Sequence, residues 1–345
     1  MNKEFIAALA DLEEEKGISS EIILEALELA LISGYKKNHV SNPNVRVAIN
    51  RENGDIKLFT QYSVVSEVED PNTEISLEDA QKQNAKYELG DLFEREDTPD
   101  NFGRIAAQTA KQVVMQRIRE FERDKTYDEF REKEGRIITG VVQRIDKGNV
   151  FVELDRLEAI LTPNDQIKGE IYKPHDRIRL YVSEVKNGTK GVLVNVSRSH
   201  PGFVRKLFEM QVPEIQNGIV EIMSVSREAG QRTKIAVFSK NPDVDAQGAC
   251  IGPRGGRVQA VMDELGSEKV DVIKWSDNPA EFISASLSPA EVSEVVILDA
   301  DTKTARVFVP DSQLSLAIGK SGQNARLAAR LTGWRIDIKS DSDRA

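Results

Sequence analysis

The sequence offers almost nothing with which to crosslink, coordinate a metal or react. Of its 345 residues one is cysteine, Cys250, and three are histidine. A lone thiol excludes an intrachain disulfide and fits a reducing compartment. Its place beside a glycine loop suits a small buried hydrophobe better than a reactive group. His39, His175 and His200 stand far apart, with no H-x-x-x-H pair and no cysteines to complete a metal set. Neither a metal nor a cofactor is therefore expected. No G-x-S-x-G elbow occurs, and the many carboxylates follow overall acidity, so no catalytic residue and no enzyme activity are expected. No apolar run approaches the roughly 18 residues that a membrane helix needs. Met1-Asn2-Lys3-Glu4-Phe5 lacks the basic and then apolar pattern of a secretory leader. Together these absences predict a cytoplasmic protein with no membrane partner.

Net charge is −10, but the acidity is uneven. Residues 1–134 hold 18 Lys and Arg against 29 Asp and Glu, whereas 135–199 hold 11 against 8. The remaining stretches, 200–275 and 276–345, hold 10 against 10 and 8 against 10. Any surface for a polyanion must therefore be local and lie beyond the first third, with salt-sensitive affinity.

The most specific feature is a pair of glycine loops. One reads Ile251-Gly252-Pro253-Arg254-Gly255, the other Ile318-Gly319-Lys320-Ser321-Gly322. The segments align without gaps over 251–266 and 318–333, each ending on a glycine before a strand-like run. Each loop follows two strand candidates, 219–226 with 233–239 and 294–299 with 304–309. Helical stretches at 202–211 and 279–286 precede these. Glycines three apart let the backbone turn sharply and approach a ligand closely. The helix behind them aims N–H groups forward, which favours phosphate oxygens. These are the mechanics of the KH fold, whose GXXG loop holds a few nucleotides of single-stranded RNA. Gly256, Arg257, Gln323, Asn324 and Arg326 complete the candidate site, the cations for phosphates and the amides for phosphate or base edges. A Walker A loop, suggested by Gly319-Lys320-Ser321, is excluded because Leu314 stands where its first glycine belongs.

Upstream, residues 1–34 read as two helices, followed by strands at 45–49, 56–59 and 62–69 and a polar helix at 76–86. A helix is predicted over 104–133. Residues 136–197 carry five short β runs, at 136–145, 149–154, 158–161, 177–185 and 190–196, which suits a small OB barrel. Its only rings are Phe151, Tyr172 and Tyr181, and alternation with Val150 and Val152 assigns Phe151 to the core.

Gly140-Val141-Val142, Val150-Phe151-Val152-Glu153-Leu154 and Ala159-Ile160-Leu161 resemble the S1 RNA-binding domain. The fold class expected is thus multidomain α+β. An N-terminal α/β domain with a long helix spans 1–134, and an S1-like OB barrel spans 135–199. Two tandem bacterial-type (type II) KH domains follow at 200–275 and 276–345. That order resembles the NusA family of bacterial transcription elongation, termination and antitermination factors. The resemblance implies an N-terminal domain docked on RNA polymerase near the RNA exit channel. It also implies S1 and KH modules that hold nascent single-stranded RNA, in a monomer that modulates pausing, termination and antitermination. Other Nus factors and ribosomal proteins are admitted as further partners. Arg104 and Lys111, seven apart on the long helix and so on nearly one face, are candidates to face polymerase. The sequence ends at Ala345, just behind the second module, and is expected to be a short form without acidic C-terminal repeats. Polynucleotide phosphorylase also joins KH and S1 modules, but behind a large catalytic core and in the opposite order. A ribosome-associated RNA-binding protein is the third reading.

Overall fold

A computed structural model describes residues 3–38, 44–99, 102–188, 191–266 and 268–343. His39, and Lys190 at the expected start of the last barrel strand, lie outside them. The chain divides into two packed units, Met1–Lys125 and Thr126–Ala345.

In the first unit, α1 (Lys3–Lys16) and α2 (Ser20–Asn38) precede β1 (Val45–Ile49) and β2 (Ile56–Val65). Then come β3 (Glu74–Ser76), α3 (Leu77–Gln83), β4 (Leu92–Glu96) and α4 (Phe102–Arg131), whose residues from Thr126 onward belong to the second unit. Strict alternation buries Val45, Val47 and Ile49 of β1 beneath Leu9, Ile23, Leu27 and Leu31. Phe102, Ala106 and Ala110 close the same core at helical spacing. The strand pieces expected at 56–59 and 62–69 are one strand. β2 stays extended because β1 pairs along its first half and β4 along its second. β4, Leu-Phe-Glu-Arg-Glu, has no apolar alternation to announce it. It is held on β2 by main-chain pairing and by Arg46, whose Nε donates to Glu94 Oε1 at 2.7 Å.

In the second unit, β5 (Ile137–Asp146), β6 (Asn149–Leu154), β7 (Leu157–Leu161), β8 (Arg177–Gly188) and β9 (Gly191–Ser197) close a barrel in the order β5-β6-β7-β9-β8. Val142, Val150, Val152, Leu161, Leu180, Val182 and Val196 fill it, and Phe130 from the end of α4 joins them. The assignment of Phe151 to this core is corrected. Residues that alternate in a strand point to opposite faces, so burying Val150 and Val152 turns Phe151 outward, where it is half-buried.

Two modules of the same topology follow. The first comprises α5 (Pro201–Gln211), α6 (Pro213–Gln216), β10 (Val220–Glu228), β11 (Arg232–Ser239), α7 (Ala246–Ile251), α8 (Gly256–Leu265) and β12 (Lys269–Lys274). The second comprises α9 (Pro279–Ser286), β13 (Glu294–Asp299), β14 (Thr304–Val309), α10 (Leu314–Ile318), α11 (Gln323–Thr332) and β15 (Arg335–Ser340). In each sheet the middle strand pairs antiparallel with the preceding strand and parallel with the following one.

These parts are packed together. Ile167 of the barrel enters the first module's core with Phe203, Leu207 and Val261. Arg198 is 3% exposed and donates to Glu170 Oε1 at 2.6 Å and Glu264 Oε1 at 3.0 Å, joining barrel to α8. Tyr181 stacks on His200 with ring centroids 4.8 Å apart. Between the two modules, the outer face of the first sheet (Ala236, Ile273) is covered by Phe282 of α9 and Leu331 of α11. Ser224 Oγ donates to Leu331 O at 2.9 Å, and the buried Lys234 Nζ donates to Ser288 O at 2.7 Å and Asp271 Oδ2 at 3.0 Å. An ammonium there must be paired to be tolerated, and both acceptors are supplied.

Candidate nucleic-acid interface

Both glycine loops lie between a short helix and a ten-residue helix, as the repeat predicts. α7 ends where Gly252 N–H donates to Gly248 O at 2.8 Å, and α10 where Gly319 N–H donates to Ser315 O at 2.9 Å. The two backbones then follow one path. Gly252 and Gly319 have φ 73° and 77° with ψ 173° and 172°. Arg254 and Ser321, two residues on, both have φ 53°. Gly255 and Gly322 complete the turn in the left-handed region at φ 75° and 74°.

The first and second glycines are constrained differently. A Cβ on Gly252 would lie 2.6 Å from Arg257 Cγ, and one on Gly319 would lie 2.7 Å from the backbone N of Asn324. At Gly255 nothing lies within 4 Å of that position, and at Gly322 only Arg326 Nη1, at 3.4 Å. Sign of φ alone restricts the second glycine, whereas φ and packing together restrict the first.

The candidate side chains separate into two groups. Arg254 and Lys320 are exposed at the loop tips and make no ion pair among the described residues. Pro253 is exposed beside Arg254, and Ile251 and Ile318 form a partly exposed apolar lip behind each loop. The others are engaged by the protein. Arg257 Nη1 donates to Glu214 Oε2 at 2.8 Å and Ala249 O at 2.7 Å, fastening α8 to α6 and α7. Asn324, expected near the surface, is 3% exposed, and its Nδ2 donates to Leu287 O at 2.9 Å and Ala317 O at 3.1 Å. Arg257 and Asn324 occupy the same place in the repeat, five residues after the first glycine, so both bind main chain behind the loop. Gln323 Nε2 donates to Glu228 Oε2 at 2.9 Å and Gln231 Oε1 at 2.8 Å. Arg326 pairs with Glu228 at 3.1 Å. Gly256 is exposed at the start of α8.

The barrel adds a row that sequence reasoning missed. Arg144, Phe151, Ile160 and Asn195 are directly opposed across β5, β6, β7 and β9. The Arg144 guanidinium lies 3.9 Å from the Phe151 ring centroid and pairs with Glu158. Ile160 beside it is 43% exposed. A half-buried ring, a guanidinium plane laid over it and an exposed aliphatic neighbour in one outward-facing row form the type of surface on which unpaired bases stack. The signal was present in the turn. Lys147-Gly148, both at positive φ, makes a two-residue hairpin, and counting back from it sets Arg144 against Phe151.

Arg104 and Lys111 are both exposed on α4. Lys111 also borders an apolar groove of about 600 Å³ with Phe5, Leu12, Val114 and Met115. Cys250 is fully buried, and burial pushes its thiol up to about 12, away from reactivity.

Comparison with known proteins places each segment. The NusA N-terminal domain matches residues 4–124 and the S1 RNA binding domain residues 131–197. The NusA-like first KH domain matches residues 198–275 and the NusA-like second KH domain residues 279–345. The transcription termination/antitermination protein NusA of Bacillus subtilis (strain 168) is 54% identical over 99% of this chain and 92% of its own length. Its counterpart from Thermus thermophilus is 46% identical over 100% of this chain and 93% of its own length. Among solved structures, the N-terminal domain of NusA from B. subtilis is 58% identical, with a TM-score of 0.33, and covers 36% of this chain and 99% of that one.

Proposed function

The chain belongs to the NusA family of transcription termination/antitermination proteins, and from that membership we propose how its parts divide the work. It is a transcription factor that binds RNA polymerase and RNA, with S1 and KH modules as its RNA-binding parts. Residues 1–134 carry the polymerase contact, with Arg104 and Lys111 on the contacting side. The acidic balance of this segment disfavours RNA and suits a protein surface. Residues 135–345 hold nascent single-stranded RNA. The observation that carries this assignment is the pair of loops with matching backbone torsions and unpaired tip cations, set in one packed unit.

In this reading Gly252–Gly255 and Gly319–Gly322 each admit a short stretch of sugar-phosphate backbone. The N-termini of α8 and α11 lie behind them, and Arg254 and Lys320 meet phosphates at the rim. The exposed faces of Ile251 and Ile318 border the bases. Arg144, Phe151 and Ile160 offer a stacking surface further along the strand. Arg257 and Asn324 act from behind, by shaping the loops. Holding emerging RNA while bound to polymerase biases whether that RNA folds, which is how such a protein alters pausing, termination and antitermination. The protein works as a monomer in the cytoplasm, without cofactor or catalysis, and other Nus factors and ribosomal proteins join it on the RNA.

Polymerase pull-down with the full chain, combined with nuclease footprinting of bound RNA, tests the division. Footprints covering the RNA next to polymerase, lost on loop substitution while polymerase is retained, are expected. Retention of the footprint would remove the loops from the mechanism.

A further inference from the structure

Glu228 ends β10 of the first module, yet its carboxylate is surrounded by the second. Its side chain is 15% exposed and accepts from three residues of α11. Gln323 Nε2 reaches Oε2 at 2.9 Å, Arg326 Nη2 reaches Oε1 at 3.1 Å, and Arg330 Nη2 reaches Oε1 at 3.2 Å. Positions 323, 326 and 330 fall on one face of the helix. Gln323 is also the first residue after the second glycine loop, and Arg326 extends the chain of contacts. Its Nη1 donates to Ser321 O, the carbonyl of the left-handed residue inside that loop. A continuous path of hydrogen bonds therefore runs from the first module's sheet, through Arg326, to the backbone of the second loop.

Packing alone leaves this path unexplained. Leu331 and Phe282 already seal the sheet's outer face, several residues away from the loop. Glu228 extends the contacts along α11 from Arg330 in its last turn back to Gln323, its first residue beside the loop, and it does so with groups that would otherwise be free to meet phosphate. Gln231 Oε1, at 2.8 Å from Gln323 Nε2, holds the same point from the turn that leads into β11.

We propose that Glu228 is a positioning residue for RNA binding, fixing the second glycine loop relative to the first so that one continuous strand enters both. This role rests on the reading of both loops as RNA sites. It also reassigns Arg326 and Gln323 from direct RNA contacts to the tether behind the loop. Two weak sites held at fixed separation combine through high effective concentration, and a loosened separation forfeits that gain without altering either site.

The test uses the full chain and two pools of hairpin-free RNA, about 5 and about 20 nucleotides long, so that only the longer spans both loops. Spin labels at Arg254→Cys and Ser321→Cys, in a Cys250→Ala background, report the loop-to-loop distance without RNA. Glu228→Arg places a cation against Arg326 and Arg330. It is expected to broaden the distance distribution and to weaken long-pool binding by about five- to tenfold, leaving short-pool binding within about twofold. Combining it with Arg330→Glu, which gives the new cation a partner and leaves the Arg326 bond to Ser321 O in place, should narrow the distribution in part and recover part of the long-to-short ratio. Glu228→Gln, a gentler change, should move both readouts in the same direction by less. An unchanged distribution in Glu228→Arg, or a broadened one with the long-to-short ratio unaltered, overturns the proposal. Native protein that binds neither pool overturns the RNA reading itself, an outcome told apart because the distance measurement contains no RNA.

Discussion

Arg198, the first residue after the barrel's last strand, closes on Glu264 in the last turn of α8 at 3.0 Å. The same guanidinium holds Glu170 at 2.6 Å and donates to the carbonyls of Arg179 and Glu264. A buried guanidinium with five donors satisfied in this way is costly to strand and costly to remove. Burial opposes its charge, and Glu170 and Glu264 outweigh that opposition, so its pKa lies above the ordinary arginine value.

Arg198→Ala is therefore expected to destabilise the second unit by roughly 2–4 kcal/mol, since it leaves Glu170 without its cation and Glu264 with Arg179 alone. It should also uncouple the barrel from the first KH module. Urea unfolding followed by tryptophan fluorescence, which reports the KH modules through Trp275 and Trp334, and by far-ultraviolet circular dichroism checks this. Coincident transitions in the native chain should separate in the variant.

The glycine loops give a graded prediction. Gly255→Asp and Gly322→Asp add a charge where the proposed RNA reading puts phosphate, at positions with room for a Cβ. Strain from positive φ should cost only about 1–2 kcal/mol each. RNA affinity should fall at least tenfold with the fold intact. Gly252→Asp and Gly319→Asp meet side-chain and backbone atoms below 3 Å and should lower the melting temperature as well. Fluorescence polarisation with labelled single-stranded RNA, alongside thermal melts, separates the two classes.

Loop-tip cations and the ion-paired Arg257 should also behave differently. Lys320→Ala and Arg254→Ala should each reduce the slope of log K against log salt by about 0.7, with unchanged stability. Arg257→Ala should lower stability by roughly 1–3 kcal/mol, through loss of its bonds to Glu214 and Ala249, and leave the slope nearly unaltered. Titrations at several salt concentrations decide between a phosphate contact and a solvated side chain.

His200 links stability to pH. Its Nδ1 accepts from Gly202 N–H at 3.0 Å, capping α5, which only the neutral ring can do. Burial, reinforced by the charge of Arg227 and opposed by Asp165, holds its pKa below the usual 6.5. The unfolded chain thus takes up a proton at higher pH than the fold does. Stability from the neutral ring is complete above about 6.5 and declines as pH falls from there to the lowered folded value. His200→Asn keeps a capping oxygen but does not titrate, and it should flatten that part of a stability–pH profile measured in urea.

Much of this architecture could be read before the structure. The I-G-x-x-G repeat located both loops and the helices around them, because glycine spacing and helix caps act locally. Residues whose role depends on which face a strand presents were harder. Phe151 was assigned inward although alternation with two buried valines places it outward, and Arg144 opposite it went unread. The direction of Asn324 depends on how closely α10 approaches α11, which a helical wheel does not contain. Glu228 is a surface carboxylate in its own module and gains its role only when a second domain is packed against it. β4 is nearly invisible in sequence, since this edge strand buries a single residue, Phe93, and is otherwise held by main-chain pairing.

The most direct test of the account is a paused-transcription assay with purified RNA polymerase and the full chain carrying both Gly255→Asp and Gly322→Asp. The native chain should lengthen the pause, and the double variant, folded and still bound to polymerase in a pull-down, should lose most of that effect. A folded double variant that lengthens the pause as much as the native chain would contradict the claim that the paired loops act through nascent RNA.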